Sequence, residues 1–186
     1  MNEKRELLIT TALRLFNQDG INSVGINEVL AVSGVAKRTL YHHFSSKDDL
    51  VLATLAYRDA IFLDWLDNKL KGAETAEEVV SWLFRALSDW FHNQVEELNS
   101  FNGCFFINTA AEIRSPDSAI AQYCREHKIK VRALLVRHLP DVDECFIDLL
   151  CFLKEGAIVS AFVTQDRDAA EKCLLLAKKT MGAQTG

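Results

Sequence analysis

Apolar residues recur three and four positions apart along nearly the whole chain, while the strict alternation of a half-buried strand is almost absent. The spacing predicts an all-α protein. Leu8, Ala12, Leu15 and Phe16 share one face of a first helix that stops at Asp19-Gly20. Ile26, Val29 and Leu30 mark the inner face of a short second helix, which ends at Ser33-Gly34. After a tight turn, a third short helix spans Lys37 to His43. Ser46-Lys47-Asp48-Asp49 reads as a cap with acids in the first turn, opening a long fourth helix that carries Leu50, Leu55, Tyr57, Ile61, Phe62, Trp65 and Leu66. Those residues cover more than one face, as in a helix held between two packing units.

Further along, Thr75-Ala-Glu-Glu78 is a capping box that starts a fifth helix. The apolar run Gly103 to Ile113 predicts a sixth. Ser115-Pro116 predicts a seventh, with proline at the first helical position. Asp141-Val-Asp-Glu144 opens an eighth through about Val163, and Asp166 caps a ninth that ends near Met181-Gly182. About nine helices result, three of them short. The predicted division is a head over residues 1–62, including the start of the fourth helix, and a helical body over residues 63–186.

Hydrophobic residues make up 49% of the chain, enough for a packed core and too many for disorder. The opening MNEKRELL has no apolar leader, and charge interrupts every apolar stretch, so no membrane association and a cytoplasmic location are expected. Five cysteines, Cys104, Cys124, Cys145, Cys151 and Cys173, show no metal spacing and read as free thiols. Neither a metal nor another cofactor is implied. The acidic doublets at Asp48-Asp49 and Glu77-Glu78 sit at helix starts, where they complement the helix dipole, and no nucleophile, zinc or phosphate-loop spacing suggests an enzyme.

The net charge of -5 would disfavour a nucleic-acid partner if it were spread evenly, but residues 1–50 carry six basic and six acidic side chains. The whole deficit lies further along. Between positions 29 and 47 there is no acid, while Lys37, Arg38 and Lys47 are present, so a positive patch survives in an acidic protein. Two short helices joined by a glycine turn form the helix-turn-helix arrangement that sets its second helix into the DNA major groove. That helix, KRTLYHH, has Leu40 and the following Phe44 on one side, leaving donors and an aromatic ring outside. His42 and His43, about 100° apart on a helix, are badly placed to share one ion.

The stretch LFNQDGINSVGINEVLAVSGVAKRTLYHHFSSKDDL resembles the N-terminal domain of the TetR family of transcriptional regulators. The resemblance rests on Leu15, Phe16, Gly20, Gly34, Val35, Thr39, Leu40, Tyr41, His43, Phe44, Ser46, Lys47 and Leu50. It implies a homodimer whose two heads grip a double-stranded, pseudo-palindromic operator, with half-sites about 34 Å apart, and whose body binds a small-molecule effector that releases the DNA. By family position Thr39, Tyr41, His42 and Lys47 would contact phosphates, Lys37 and Arg38 would lie nearest the base edges, and Asn27 would approach from the second helix. Two capping hydroxyls usual in the family are replaced by Gly25 and Ala36, and Arg38 stands where glycine is common. For the effector site, Trp82, His92, Phe105 and Asn108 are candidate lining residues, and Cys104 is a candidate sensor of oxidants or electrophiles. The family's dimer helices point to Leu149, Leu153, Gly156, Ala157 and Ser160 on the eighth helix. Two other readings stay open from the residues alone: a helix-turn-helix regulator without a small-molecule ligand, and a helical bundle that binds a hydrophobic substrate.

Overall fold

The computed structural model describes residues 3–184. Among these there are nine α-helices, one 3-10 turn at Glu96–Leu98 and no strand. The helices are α1 Glu3–Asp19, α2 Ile26–Ser33, α3 Lys37–His43, α4 Lys47–Leu70, α5 Ala76–Phe91, α6 Phe105–Glu112, α7 Ala119–His138, α8 Glu144–Val163 and α9 Ala169–Gln184. They group into two compact units. One joins the residues up to Ala60 with Phe105–His127; the other joins Ile61–Cys104 with the residues from Lys128 onward.

In the first unit α1 packs on both α2 and α3. Its buried stripe, Leu8, Ala12, Leu15 and Phe16, is the spacing of three and four seen in the sequence. Gly34 ends α2 in the left-handed region, at φ 67°, where a side chain would be strained, and its amide closes on the Leu30 carbonyl at 2.9 Å. Toward the other side of this unit α4 buries Leu50, Val51 and Leu55, and with them two charged residues, Arg58 and Asp59. Asp59 explains part of that burial. Its carboxylate accepts from Tyr123 at 3.3 Å and sits 2.7 Å from Nδ1 of the buried His127, both on α7. The His127 ring in turn stacks flat on Phe106 of α6, with centroids 3.5 Å apart.

The second unit packs α5, α8 and α9 against one another. Its centre is aromatic: Phe62, Trp65, Trp90, Phe91 and Phe101 meet in tilted or edge-to-face pairs with centroids 4.8–6.3 Å apart. Arg167 lies over the Phe101 ring and donates to the Phe91 carbonyl at 2.6 Å, which ties the α8–α9 connection to this cluster.

Helix starts follow the caps with two exceptions, α7 and α9; the latter begins at Ala169, and the Asp166 carboxylate accepts from Lys172 at 2.6 Å instead of capping it. The Thr75 hydroxyl accepts from the Glu78 amide at 3.2 Å while Glu78 accepts from the Thr75 amide at 3.1 Å, and Asp143 caps α8 through the Cys145 amide at 3.1 Å. The seventh helix does not begin at Pro116. It begins at Ala119, because the Ser118 hydroxyl accepts from the Ala121 amide at 3.2 Å, and Pro116 stays in the preceding turn with its carbonyl taken by Arg125. The turn at Glu96–Leu98 is also absent from the sequence reading. Replacing Thr75 with alanine should cost about 1 kcal/mol, read as a lower urea midpoint with an unchanged slope.

Candidate nucleic-acid interface

The α2–α3 turn is built by three residues. After Gly34 reverses the chain, the Val35 amide donates to the Ser33 hydroxyl at 3.3 Å and Val35 itself is buried. Ala36 then serves as the N-cap of α3 without any side-chain bond, as does Gly25 for α2, so neither position supplies a capping oxygen. The α3 backbone closes nonetheless, with Leu40 N and Thr39 N both on the Ala36 carbonyl.

Leu40 and Phe44 are buried, and the Arg5 guanidinium of α1 lies 5.3 Å over the Phe44 ring. With that side fixed, Lys37, Arg38, Tyr41 and His42 are exposed and Thr39 is half-buried. Asn27 is exposed on α2, and Lys47, the first residue of α4, is half-buried. No acid stands among these seven side chains. Glu28 beside Asn27 and Asp48 beside Lys47 are exposed, while Asp49 is turned back on its own turn: it accepts from the Ser45 amide at 3.0 Å and from the Ser45 hydroxyl, and its own amide donates to Ser46 Oγ at 3.1 Å. Hydrogen bonding from the Ser45 side chain holds the Asp49 carboxyl below its ordinary value. His42 and His43 meet edge to face, with centroids 5.2 Å apart, and His43 stands edge-on to Phe44. The two rings do not converge on one point. The surface that results can donate hydrogen bonds, carry positive charge and stack, which suits a phosphate backbone and base edges.

A family model described as bacterial regulatory proteins, tetR family, matches residues 8–54. Over 73 residues the chain is 41% identical to the HTH-type transcriptional regulator YuxN of Bacillus subtilis, a match covering 39% of this chain and 25% of that protein. The crystal structure of a TetR-family transcriptional regulator from Streptomyces coelicolor superposes with a TM-score of 0.84 at 28% identity, covering 96% of this chain and 94% of that one. Residues 8–54 thus match the TetR family of transcriptional regulators, and the chain resembles a solved TetR-family regulator over nearly its whole length. A TetR-family regulator named CifR, solved as a cysteine mutant in complex with 26-base-pair double-strand operator DNA, has the same fold at a TM-score of 0.75 and 18% identity, covering 96% of this chain and 95% of that one. The chain spans from about a quarter to about half of the length of the curated relatives named for Bacillus subtilis.

The candidate effector residues fall in both units. Trp82 is half-buried on α5, and His92 is exposed at its end, its Nδ1 2.9 Å from the Ser88 carbonyl oxygen. Cys104 is buried in the same unit, whereas Phe105, buried, and Asn108, half-buried, belong to the unit that carries α3. A depression of about 270 Å³ between α5 and α9 is lined by Glu77, Lys178, Met181 and Gly182, and by none of these five. On α8, Leu149, Leu153 and Ser160 are half-buried and Gly156 is exposed. Ala157 is a correction: it is fully buried within the chain, because it faces inward among the helices of its own unit. The outward positions are Phe152, 73% exposed, Val159 and Val163, 69% exposed, beside Leu175 and Leu176 of α9.

A charged cluster beside Cys104 escaped the sequence reading. Lys128 donates to Cys104 Sγ at 3.3 Å and to both oxygens of Glu155 at 2.9 Å, and Glu155 also takes Lys154, whose side chain is 2% exposed. The one signal for it was a lysine on the apolar face of α8. Burial works against the Glu155 carboxylate, but Lys154 and Lys128 outweigh it and hold its pKa below the ordinary value. Burial likewise works against the Lys128 ammonium, and the Cys104 sulfur and Glu155 overcome it, holding that pKa up. A lowered carboxyl stabilises the fold above its unfolded value and loses that contribution as pH falls through the folded one. Glu155→Gln should therefore destabilise the protein by roughly 1–3 kcal/mol near neutral pH. In urea titrations at several pH values, its gap from wild type should close below the ordinary carboxylate range.

Proposed function

We propose that the protein is a dimeric, non-enzymatic, cytoplasmic repressor that holds a pseudo-palindromic operator through α3 and releases it when a small-molecule effector binds. The acid-free outer face of α3, with Lys37, Arg38, Tyr41 and His42 exposed, carries this reading. Lys37 and Arg38 lie at the N-terminal end of the helix, where the helix dipole also favours an anion. Thr39, Tyr41, His42 and Lys47 are the phosphate contacts, Lys37 and Arg38 the side chains nearest the bases, and Asn27 the approach from α2. The CifR structure, which shares the fold, is a complex with operator DNA, and this supports a DNA-binding role for the present chain.

Candidate effector contacts are Trp82, His92 and Cys104 in the second unit and, separately, Phe105 and Asn108 in the first. Release is then a coupling between two sites: an effector favouring the DNA-incompetent form weakens DNA, and DNA weakens the effector by the same factor. For the dimer, Leu149, Leu153, Gly156 and Ser160 would be joined by Phe152, Val159 and Val163, a contiguous apolar strip on α8 that a second copy would cover. Changing Phe152 to glutamate should convert a dimer to a monomer in light scattering at micromolar concentration. A wild-type chain that is itself monomeric there would remove the dimer from the reading.

DNA binding is tested by selecting bound fragments from genomic DNA and titrating the best with salt. Affinity should fall steeply as salt rises. Lys37→Ala or Arg38→Ala should either lower the logarithmic salt slope by about 1, as a lost phosphate contact does, or cost about 1–3 kcal/mol on the selected sequence alone, as a lost base contact does. Equal affinity of both variants and wild type for every fragment would exclude α3 as the reading helix.

A further inference from the structure

Glu112, the last residue of α6, reaches across 90 residues of sequence to the loop that joins α1 to α2. Its two oxygens are both used there. Oε1 accepts from the Ile21 amide at 3.0 Å and Oε2 from the Asn22 amide at 2.7 Å. The tie is returned, since the Asn22 side-chain amide donates to the Glu112 carbonyl at 3.0 Å, satisfying one of the carbonyls left open at the end of α6. Two consecutive backbone N–H groups meeting one carboxylate form charge-assisted bonds, stronger than neutral ones. Gly20 is part of the grip. It sits at φ 86°, and a Cβ there would lie 2.9 Å from Glu112 Oε1, so the position excludes a side chain on both counts.

The loop so held, between Asp19 and Ile26, decides how α2 leaves α1, and α3 follows α2 after one tight turn. At its other end α6 is held as well, by the Phe106 ring stacked on His127, whose Nδ1 faces Asp59 of α4. It is therefore a short rod of eight residues fastened at both ends within one packing unit. Its first residue, Phe105, is the direct continuation of the segment that ends at Cys104.

We propose that Glu112 is a positioning residue: through its carboxylate, α6 sets the placement of the helix-turn-helix and thereby its affinity for a specific operator. This rests on the DNA-binding reading above. A displacement of α6 would be felt as a displacement of the Ile21 and Asn22 amides, and two heads reading half-sites at fixed spacing are sensitive to it. Attraction to phosphates in general is not, because it depends on charge and little on register.

The test uses the full chain as wild type, Glu112→Gln, Gly20→Ala and Asn22→Ala. Glutamine keeps the shape but offers one accepting oxygen and turns a donor toward a donor. All variants should keep the wild-type helical circular dichroism. Glu112→Gln and Gly20→Ala should bind a selected operator fragment at least tenfold more weakly while binding a random-sequence duplex within twofold of wild type. Asn22→Ala, which spares the carboxylate, should show a smaller loss. Hydrogen exchange gives a readout that needs no DNA: in Glu112→Gln, protection should fall through α2 and α3, beyond Ile21 and Asn22 themselves. Exchange confined to those two amides would overturn the proposal and leave Glu112 a local cap. Parallel loss of operator and random-duplex affinity would overturn it too. If wild type prefers no fragment over random duplex, the DNA-binding reading fails, and hydrogen exchange alone decides whether Glu112 places the head.

Discussion

Every outward side chain of α3 depends on two inward ones. Leu40 and Phe44, four residues apart, bury one side of a helix of only seven residues, too short to be stable alone in water. Their partners come from outside the helix-turn-helix: α1 packs on α3, and the Arg5 guanidinium covers Phe44. Once that side is anchored, helical geometry alone turns Lys37, Arg38, Tyr41 and His42 toward solvent. The missing capping oxygen at Ala36 matters less than its roughly 1 kcal/mol suggests, because tertiary burial rather than local capping holds this helix in place.

Charge is divided along the same line. An acidic chain can present a positive surface only where its acids are absent or occupied, and both happen here. No acid occurs from position 29 to 47, and Asp49, the first carboxylate after α3 to turn toward its own chain, is consumed by the Ser45 amide and hydroxyl. In the other unit a surplus of ammonium is met differently, by one shared carboxylate: Glu155 lies between Lys128 and a nearly inaccessible Lys154.

Local signals in the sequence were legible and long-range ones were not. The Thr75 capping box, the Asp143 cap and the Gly34 turn each act within four residues, so pattern alone places them. The start of α7 was misplaced because Pro116 and Ser118 both resemble helix openings, and the bond from the Ala121 amide chooses Ser118. Five of the proposed DNA contacts, Lys37, Arg38, Thr39, Tyr41 and His42, are legible together because they share one short helix, whereas the small size of Ala157 suggests a dimer surface although α8 turns it inward. Arg58 and Asp59, adjacent charges in a largely apolar helix, hinted at a buried polar contact, yet nothing in their spacing identifies Tyr123 and His127 on α7 as partners. The hold of Glu112 on Ile21 and Asn22 left no trace in sequence, since its acceptor is one glutamate among many and its donors are backbone.

The central claim is that α3 is the surface that enters the major groove, once from each of two heads. Guanine-N7 methylation protection on a genomic fragment that the protein retains tests this most directly. Two protected major-groove patches about 10 base pairs apart, centre to centre on one face of the duplex, are predicted. A single patch, protection confined to the minor groove, or no protection at saturating protein would contradict it.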